Sequence, residues 1–437
     1  MRGYFLNIVY LGVLLIAMPV LLWRAFRLGK YRQGWPEKLW GRVPVRANPQ
    51  KPAAWFHAVS VGEVLQLQRL VKEFQGRHQG WDVVITTTTS TGYQVAVEKF
   101  PTCHVSYFPL DFTWAVSRAL DRFQPSVLAL VELELWPNLI DEAKRRGVSV
   151  CIVNGRLSEK SFKGYARLKR MLAPTMSQID LVLAQNAEYA ERFQALGGPA
   201  ARVQVTGSIK FDGVTLTCDP LKLASLKQSF QLNDASPVFM AGSTHPPEEE
   251  IAIQAWQKVR ETYPDLKLLL VPRHAERFDE VAGLVKSYDV TLIRRSQPNE
   301  IHRGSKSGTV LLLDTLGELT TTWGLADIAF VGGSITQRGG QNMIEPAALK
   351  KPVLLGPNVW NFSQIAGELL ESKAAVTVLN VEEIVEQLMT LLSNPKLAKS
   401  MGQAGQSVVV KHQGAVEKTL RALDRLLPVQ QAGRQAA

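Results

Sequence analysis

Residues 53–64, AAWFHAVSVGEV, pass from an apolar run into a short polar turn and then into a helical pattern. The run Ala53–Val59 reads as a strand, and the 3.6-residue spacing from Val64 to Phe74 reads as a helix. Ser60-x-x-Glu63 fits a capping box, in which a Ser hydroxyl and a Glu carboxylate satisfy the free N–H groups of the first helical turn. Glu63 also falls on a loop at the C-terminal edge of a parallel strand, where α/β proteins place their chemistry. From this stretch alone, cap and catalyst are both open.

The same strand-to-helix step recurs along the chain. Further strands are expected near residues 82–88, 104–108, 127–131, 148–153, 181–184 and 203–205. Helical patterns lie between them at 113–123, 138–146 and 187–196. The alternation falters over 211–237, where Pro220 and Pro237 flank a polar segment, and then restarts. The second series of strands is expected near 238–241, 267–271, 290–293, 310–313, 328–331, 352–355 and 374–378, with helices at 248–261 and 342–349 and a helical tail over 381–427. Such a βαβα pattern implies parallel sheets covered by helices. Two such series in 437 residues imply an α/β protein of two doubly wound, Rossmann-like domains facing across a cleft. The expected division is an anchor and basic connector (1–34), a first domain (35–212), a linker (213–236), a second domain with a helical tail (237–427) and a flexible C-terminus (428–437).

The chain is 46% hydrophobic and 20% charged, a globular composition. Of the formal net charge of +11, a net +7 falls in residues 1–46, so the basic excess argues for a membrane surface rather than nucleic acid. Beside it lies Tyr4–Trp23, twenty residues without a charge, long enough to span a bilayer. No small-x-small cleavage site follows, so a retained N-terminal membrane-anchor helix is expected, not a cleaved signal. Basic residues after the span put the bulk of the protein on the cytoplasmic face of the inner membrane. Asn7 and Pro19 leave open a helix that lies in the interface instead of crossing. Cys103, Cys151 and Cys218 are too far apart for a zinc motif or a disulfide framework and read as structural thiols.

No P-loop, G-x-G-x-x-G or H-E-x-x-H motif is present, and no D-x-D supplies a metal-chelating carboxylate pair. A transfer reaction without metal or cofactor is the leading enzyme class. The richest stretch is 331–357, VGGSITQRGGQNMIEPAALKKPVLLGP. Its paired glycines let backbone approach a ligand, and the helix start near Asn342 offers N–H groups to a phosphate, with Glu345 available to ribose hydroxyls. Pro272-Arg273-His274, Gly242-Ser243-Thr244-His245 and Leu316-Gly317-Glu318 are further edge loops in the same half, and their convergence would build a nucleotide pocket. In the first half, Glu132 and Glu134 end the run Val127–Val131, and alternation points them to one side. Arg156–Arg170, RLSEKSFKGYARLKR, reads as a solvated helix face or as a grip on lipid phosphates through residues such as Arg156, Lys160 and Lys163.

HAVSVGE, ELELWPN, NGRLSEKS, GSIKFD, GSTH, VPRH, LGEL, GGSITQRGGQNMIEPAA and NFSQI, in this order, resemble the 3-deoxy-D-manno-octulosonic acid (Kdo) transferases along nearly the whole chain. The resemblance implies a GT-B fold and an inverting, metal-independent glycosyltransferase. Its donor would be CMP-Kdo and its acceptor the lipid A precursor, lipid IVA, of lipopolysaccharide synthesis. It implies Glu63 as general base, with Glu134 and Lys210 as transition-state stabilisers. Pro272, Arg273, Leu316, Gly317, Glu318, Asn342, Met343, Ile344 and Glu345 would form the CMP-Kdo site. Rival readings are another membrane-associated GT-B enzyme with a UDP-sugar donor, or a non-catalytic, membrane-tethered two-lobed binding protein.

Overall fold

The computed structural model describes residues 2–28, 33–233 and 236–427. The chain divides into two compact units, Met1–Gly213 with Gln413–Ala437, and Val214–His412.

The first unit is built on a seven-stranded parallel sheet: β1 (Ala53–His57), β2 (Asp82–Thr87), β3 (His104–Tyr107), β4 (Val127–Val131), β5 (Ser149–Gly155), β6 (Leu181–Ala184) and β7 (Val203–Val205). The order is β3-β2-β1-β4-β5-β6-β7, so the winding reverses between β1 and β4. Ala54 pairs in register with Val127, and His57 with Leu130. Both faces of the sheet are covered. Ala54, Phe56, Ala129 and Val131 point into one apolar cluster, while Trp55, Leu128 and Leu130 point into the other. That is the two-residue alternation of a strand buried on both sides.

The helix Val61–Arg77 lies on the first of these faces because Val64, Leu67, Leu70, Val71 and Phe74 form one apolar stripe. The last helix, Ala415–Asp424, joins the same cluster through Val416, Leu420 and Leu423. Sequence periodicity assigns this tail to the second domain, but its contacts are with the first. Gly414 has no side chain with which to cap the helix. Instead Asp212 accepts hydrogen bonds from the N–H groups of Gly414 (2.5 Å) and Val416 (2.6 Å), a cap supplied by distant chain at the positive end of the helix. His78 and Arg77 hold the other end at Asp424.

The second unit repeats the plan with β8 (Val238–Thr244), β9 (Lys267–Pro272), β10 (Thr291–Arg294), β11 (Thr309–Leu312), β12 (Ile328–Val331), β13 (Val353–Leu355) and β14 (Ala375–Thr377). Its order, β10-β11-β9-β8-β12-β13-β14, reverses between β8 and β12. The segment expected as a linker contains a helix, Pro220–Ser229, capped by Asp219. The expected flexible end at 428–437 lies outside the described residues.

The N-terminal helix spans Arg2–Leu28, and its Arg2–Val20 stretch is long and apolar enough to cross a bilayer. Its first turns are docked on the first unit. Leu6 and Asn7 are buried. The Asn7 side chain donates to Thr113 Oγ1 (2.7 Å) and accepts from Thr113 N (3.1 Å) and Asn138 Nδ2 (3.3 Å). Tyr10 donates to Asp111 (3.1 Å), and Arg2 to the Met171 carbonyl (3.0 Å) and Thr175. Beyond Tyr10 the helix exposes Leu11, Val13, Leu15 and Ile16, the last to 82%. Cys151 is buried, and Cys103 and Cys218 are half-buried free thiols.

Candidate functional site

Each sheet gathers its candidate residues at the C-terminal edge beside its own reversal point, the position at which doubly wound sheets open a crevice. In the first unit these are the loops after β1 and β4.

Ser60 caps the helix after β1. Its hydroxyl accepts from Glu63 N (3.3 Å) and donates to Glu63 Oε1 (2.8 Å). The second carboxylate oxygen, Oε2, accepts from Val59 N (2.8 Å). Glu63 is thus a capping-box residue with both oxygens engaged, yet it is only half-buried. Burial raises its pKa above the usual carboxylate range, the Ser60 and Val59 donors pull it back, and the charge of Glu132 adds to the rise.

Strand β4 ends at Val131, and Glu132 takes a left-handed φ of 61°. The alternation expected for Glu132 and Glu134 therefore stops before it reaches them. A non-glycine residue at this φ is strained. Here Glu132 N donates to Val153 O (2.9 Å), and its carboxylate meets Lys210 Nζ at 3.7 Å. Lys210 pairs with Glu132 rather than with Glu134. Burial lowers the Lys210 pKa, against the opposing pull of Glu132. Glu134 is pushed up to about 7, first by burial and then by the Glu63 charge. Three carboxylates and one amine thus share a half-buried edge.

Asn154 is a member of this site that sequence reasoning missed. It is the penultimate residue of β5, with φ 55°, donates to Gln66 Oε1 (2.9 Å) and accepts from Ile209 N (3.2 Å). It thereby ties the Lys210 turn to the helix that carries Glu63. A buried Asn at the end of the apolar run Val150–Val153 was the available signal. Of the proposed acceptor residues, Arg156 lies close enough to depress the Lys210 pKa. Lys160 is exposed, and Lys163 pairs with Glu159 (2.6 Å) on an exposed helix face.

In the second unit the loops after β8, β9, β11 and β12 converge. Arg273 Nε donates to Gln341 Oε1 (3.2 Å), and Gln341 reaches His245 (3.4 Å). Asn342 Nδ2 donates to Glu345 Oε1 (2.9 Å), and Asn342 Oδ1 accepts from Ile344 N (3.1 Å). Burial raises the Glu345 pKa, and the Asn342 amide opposes the rise. Met343 and Ile344 are buried, so only their backbone can face a ligand. Pro272 ends β9, Leu316 is 77% exposed, and Gly317 has φ 84°. Glu318 is gripped by Arg295 (2.9 Å) and Thr315, which outweighs burial and holds its pKa low.

The glycine-rich loop departs from expectation. Its N–H groups are already occupied: the fully buried Glu248 carboxylate accepts from Gly333 N (2.7 Å), Ser334 N (3.0 Å), Ile335 N (3.0 Å) and Thr336 N (3.4 Å), and from His245 N (3.0 Å). Glu248 opens the helix Glu248–Arg260, where an acid ordinarily complements the helix dipole. It is instead an internal anion that shapes the loop. Gly332 is required for close approach, since a Cβ there would fall 2.5 Å from Ser243 O.

Residues 31–213 match the family model described as 3-deoxy-D-manno-octulosonic-acid transferase (kdotransferase). A 3-deoxy-D-manno-octulosonic acid transferase of Haemophilus influenzae is 35% identical over 96% of this chain and 97% of its own. One from Bordetella pertussis is 33% identical over 94% and 96%. Among solved structures, a glycosyltransferase from Rickettsia africae aligns with a TM-score of 0.58 at 14% identity, covering 86% of this chain and 99% of its own. A UDP-GlcNAc 2-epimerase from Neisseria meningitidis also aligns with a TM-score of 0.58 at 14% identity, over 85% and 100%. At that identity these two speak to the shared GT-B-like fold, and their different chemistries show that the fold alone does not decide the reaction.

Proposed function

The chain belongs to the 3-deoxy-D-manno-octulosonic acid transferase family, and from that premise we propose that it transfers Kdo from CMP-Kdo to a sugar hydroxyl of the lipid A precursor, lipid IVA. It is a glycosyltransferase. The observation that carries the proposal is the cluster of Glu63, Glu132, Glu134 and Lys210 where the first sheet reverses.

In the proposed step an acceptor hydroxyl attacks the anomeric carbon of Kdo from the face opposite the phosphate. The new C–O bond forms as the bond to the CMP phosphate oxygen breaks, and CMP leaves with the electron pair. Glu63 takes the hydroxyl proton, and its raised pKa brings it closer to operating pH than an ordinary carboxylate. Glu134 keeps a second carboxyl near the reacting centre. Lys210 offers a cation to the Kdo carboxylate. On the second unit, Arg273 and the Asn342–Glu345 turn are the proposed CMP contacts, with the loops Pro272 and Leu316–Glu318 beside them.

The helix Arg2–Leu28 holds the enzyme at the cytoplasmic face of the inner membrane in this reading. Two contacts favour a helix lying along the bilayer surface over one that crosses it. Arg2 is bonded to Met171 and Thr175, and Gly34, just past the helix, packs so closely on Tyr107 that a Cβ would fall 2.3 Å from its ring. The start of the helix and the chain beyond it at Gly34 are thus held on the same unit.

The test is mass spectrometry of products from CMP-Kdo and lipid IVA, with UDP-N-acetylglucosamine as the competing donor. Addition of Kdo mass supports the proposal. Incorporation from the UDP-sugar alone, or from neither donor, overturns it.

A further inference from the structure

An apolar groove of 210 Å³ separates the N-terminal helix from the body of the first unit. Val13, Leu14 and Ala17 form the helix wall, and Leu110, Phe112 and Trp136 the opposite wall. Such a surface gains nothing from water and is stabilised when a hydrocarbon covers it. The buried bonds of Asn7 to Thr113 and Asn138, at the N-terminal end of this helix, fix the helix on the body, so the groove is built into the fold.

We propose that this groove takes an acyl chain of the acceptor glycolipid and so holds the acceptor sugar at the carboxylate cluster. The inference rests on the reading above that the acceptor is lipid-linked. Three observations identify the occupant. First, the helix that forms one wall turns Leu11, Ile16 and Val20 outward, so the groove borders a surface suited to hydrocarbon rather than to water. Second, Trp136, which closes the groove, follows Glu134 by two residues in the loop after β4, and its ring lies 6.5 Å from that of His57 at the end of β1. The groove therefore leads to the candidate acid–base groups and not to an unrelated face. Trp136 is itself held by Phe108 (ring centroids 5.3 Å apart), which stacks on His57 at the end of β1. Third, the start of the helix is bonded to Met171, in the run Lys169–Met176 that follows Glu159–Arg167. Lys160, Lys163, Arg167, Lys169 and Arg170 are exposed there. A phosphorylated glycolipid presents anionic groups as well as acyl chains, and the unit that holds the apolar groove offers cations near the start of the same helix.

The test uses the full-length protein in phosphatidylcholine vesicles. Ala17→Phe fills the groove from the helix side. The ratio of kcat/KM for acylated acceptor to that for the same acceptor after deacylation is expected to fall by about tenfold or more. An unchanged ratio overturns the proposal. Binding is read separately in the unmodified protein with brominated acyl chains. Bromines on the acceptor are expected to quench the emission component that Trp136→Phe removes. Quenching only by bromines on bulk phosphatidylcholine assigns the groove to bilayer lipid and overturns the acceptor assignment. If wild type transfers Kdo to neither acceptor, the proposed function fails instead, which this design separates from failure of the groove.

Discussion

The Ser60 hydroxyl and the Glu63 carboxylate hold each other: Oγ donates to Oε1 at 2.8 Å while it accepts from the Glu63 backbone at 3.3 Å. The cap and the candidate base are one group, and a conservative change separates the two roles. Glu63→Gln keeps an acceptor oxygen for the box and is expected to cost less than ~1 kcal/mol of stability. It removes the proton acceptor, and transfer is expected to fall by about 10²-fold or more. Thermal melts and initial rates on one preparation check both. Full activity in Glu63→Gln would reduce the residue to a cap.

Glu134 makes a prediction about pH. Its folded pKa is raised from 4.5 to about 7, by burial and then by Glu63. A carboxyl whose folded pKa is raised favours the folded state when protonated. That contribution is present below the unfolded value and is lost as pH rises through the folded one. Glu134→Gln cannot ionise, so its melting temperature relative to wild type should climb between about pH 5 and pH 8. A difference that stays flat over this window would mean that Glu134 titrates as an ordinary exposed carboxylate.

The βα alternation of the sequence anticipated all fourteen strands of the two sheets to within a few residues, because buried parallel strands are written as short apolar runs between helical patterns. That Glu63 and Glu134 lie past the C-terminal ends of their strands was legible for the same reason. Three features were not. Glu132 leaves the strand path through a left-handed φ, which no side-chain pattern encodes. Glu248 stands first in its helix, where an acid is ordinary, and its partners in the glycine-rich loop lie more than eighty residues away. Asp212 capping the tail helix is likewise a pairing across two hundred residues. Local periodicity reports what a segment buries, not which distant backbone its polar groups will satisfy.

Glu248 should behave as the keystone of the glycine-rich loop. Glu248→Ala leaves buried N–H groups of residues 333–335 without an acceptor, each costing roughly 1–3 kcal/mol. We expect a large drop in melting temperature. Glu248→Gln retains one acceptor oxygen but turns an NH2 group toward backbone donors, so an intermediate loss is expected. If the loop serves the donor, KM for CMP-Kdo should rise in Glu248→Gln more than kcat falls. Equal loss in both, tracking the folded fraction, would limit the residue to a structural role.

The Asp212 cap predicts how the tail comes loose. Asp212→Ala removes the acceptor for Gly414 N and Val416 N at the start of Ala415–Asp424 and should cost ~1–2 kcal/mol. The loss should be local, because the sheet beneath keeps its other cover from Val61–Arg77. Limited proteolysis is expected to cut near Gln413 in the variant well before the rest of the chain is attacked. Simultaneous loss of both units would show that the last helix is an obligatory part of the core.

The docked helix start predicts where the N-terminus lies. Asn7 is bonded to Thr113 and Asn138, and Arg2 to Met171, all on the globular first unit. An N-terminal epitope tag should therefore be cleaved by protease in inverted inner-membrane vesicles and be protected in intact spheroplasts. A crossing helix gives the opposite pattern. Asn7→Leu should weaken the dock, since Thr113 and Asn138 lose a buried partner. The tag should then gain protease access in the same inverted vesicles at lower protease concentration. A tag reached only from the periplasmic face would refute the in-plane helix, and with it the position of the groove wall at Val13, Leu14 and Ala17.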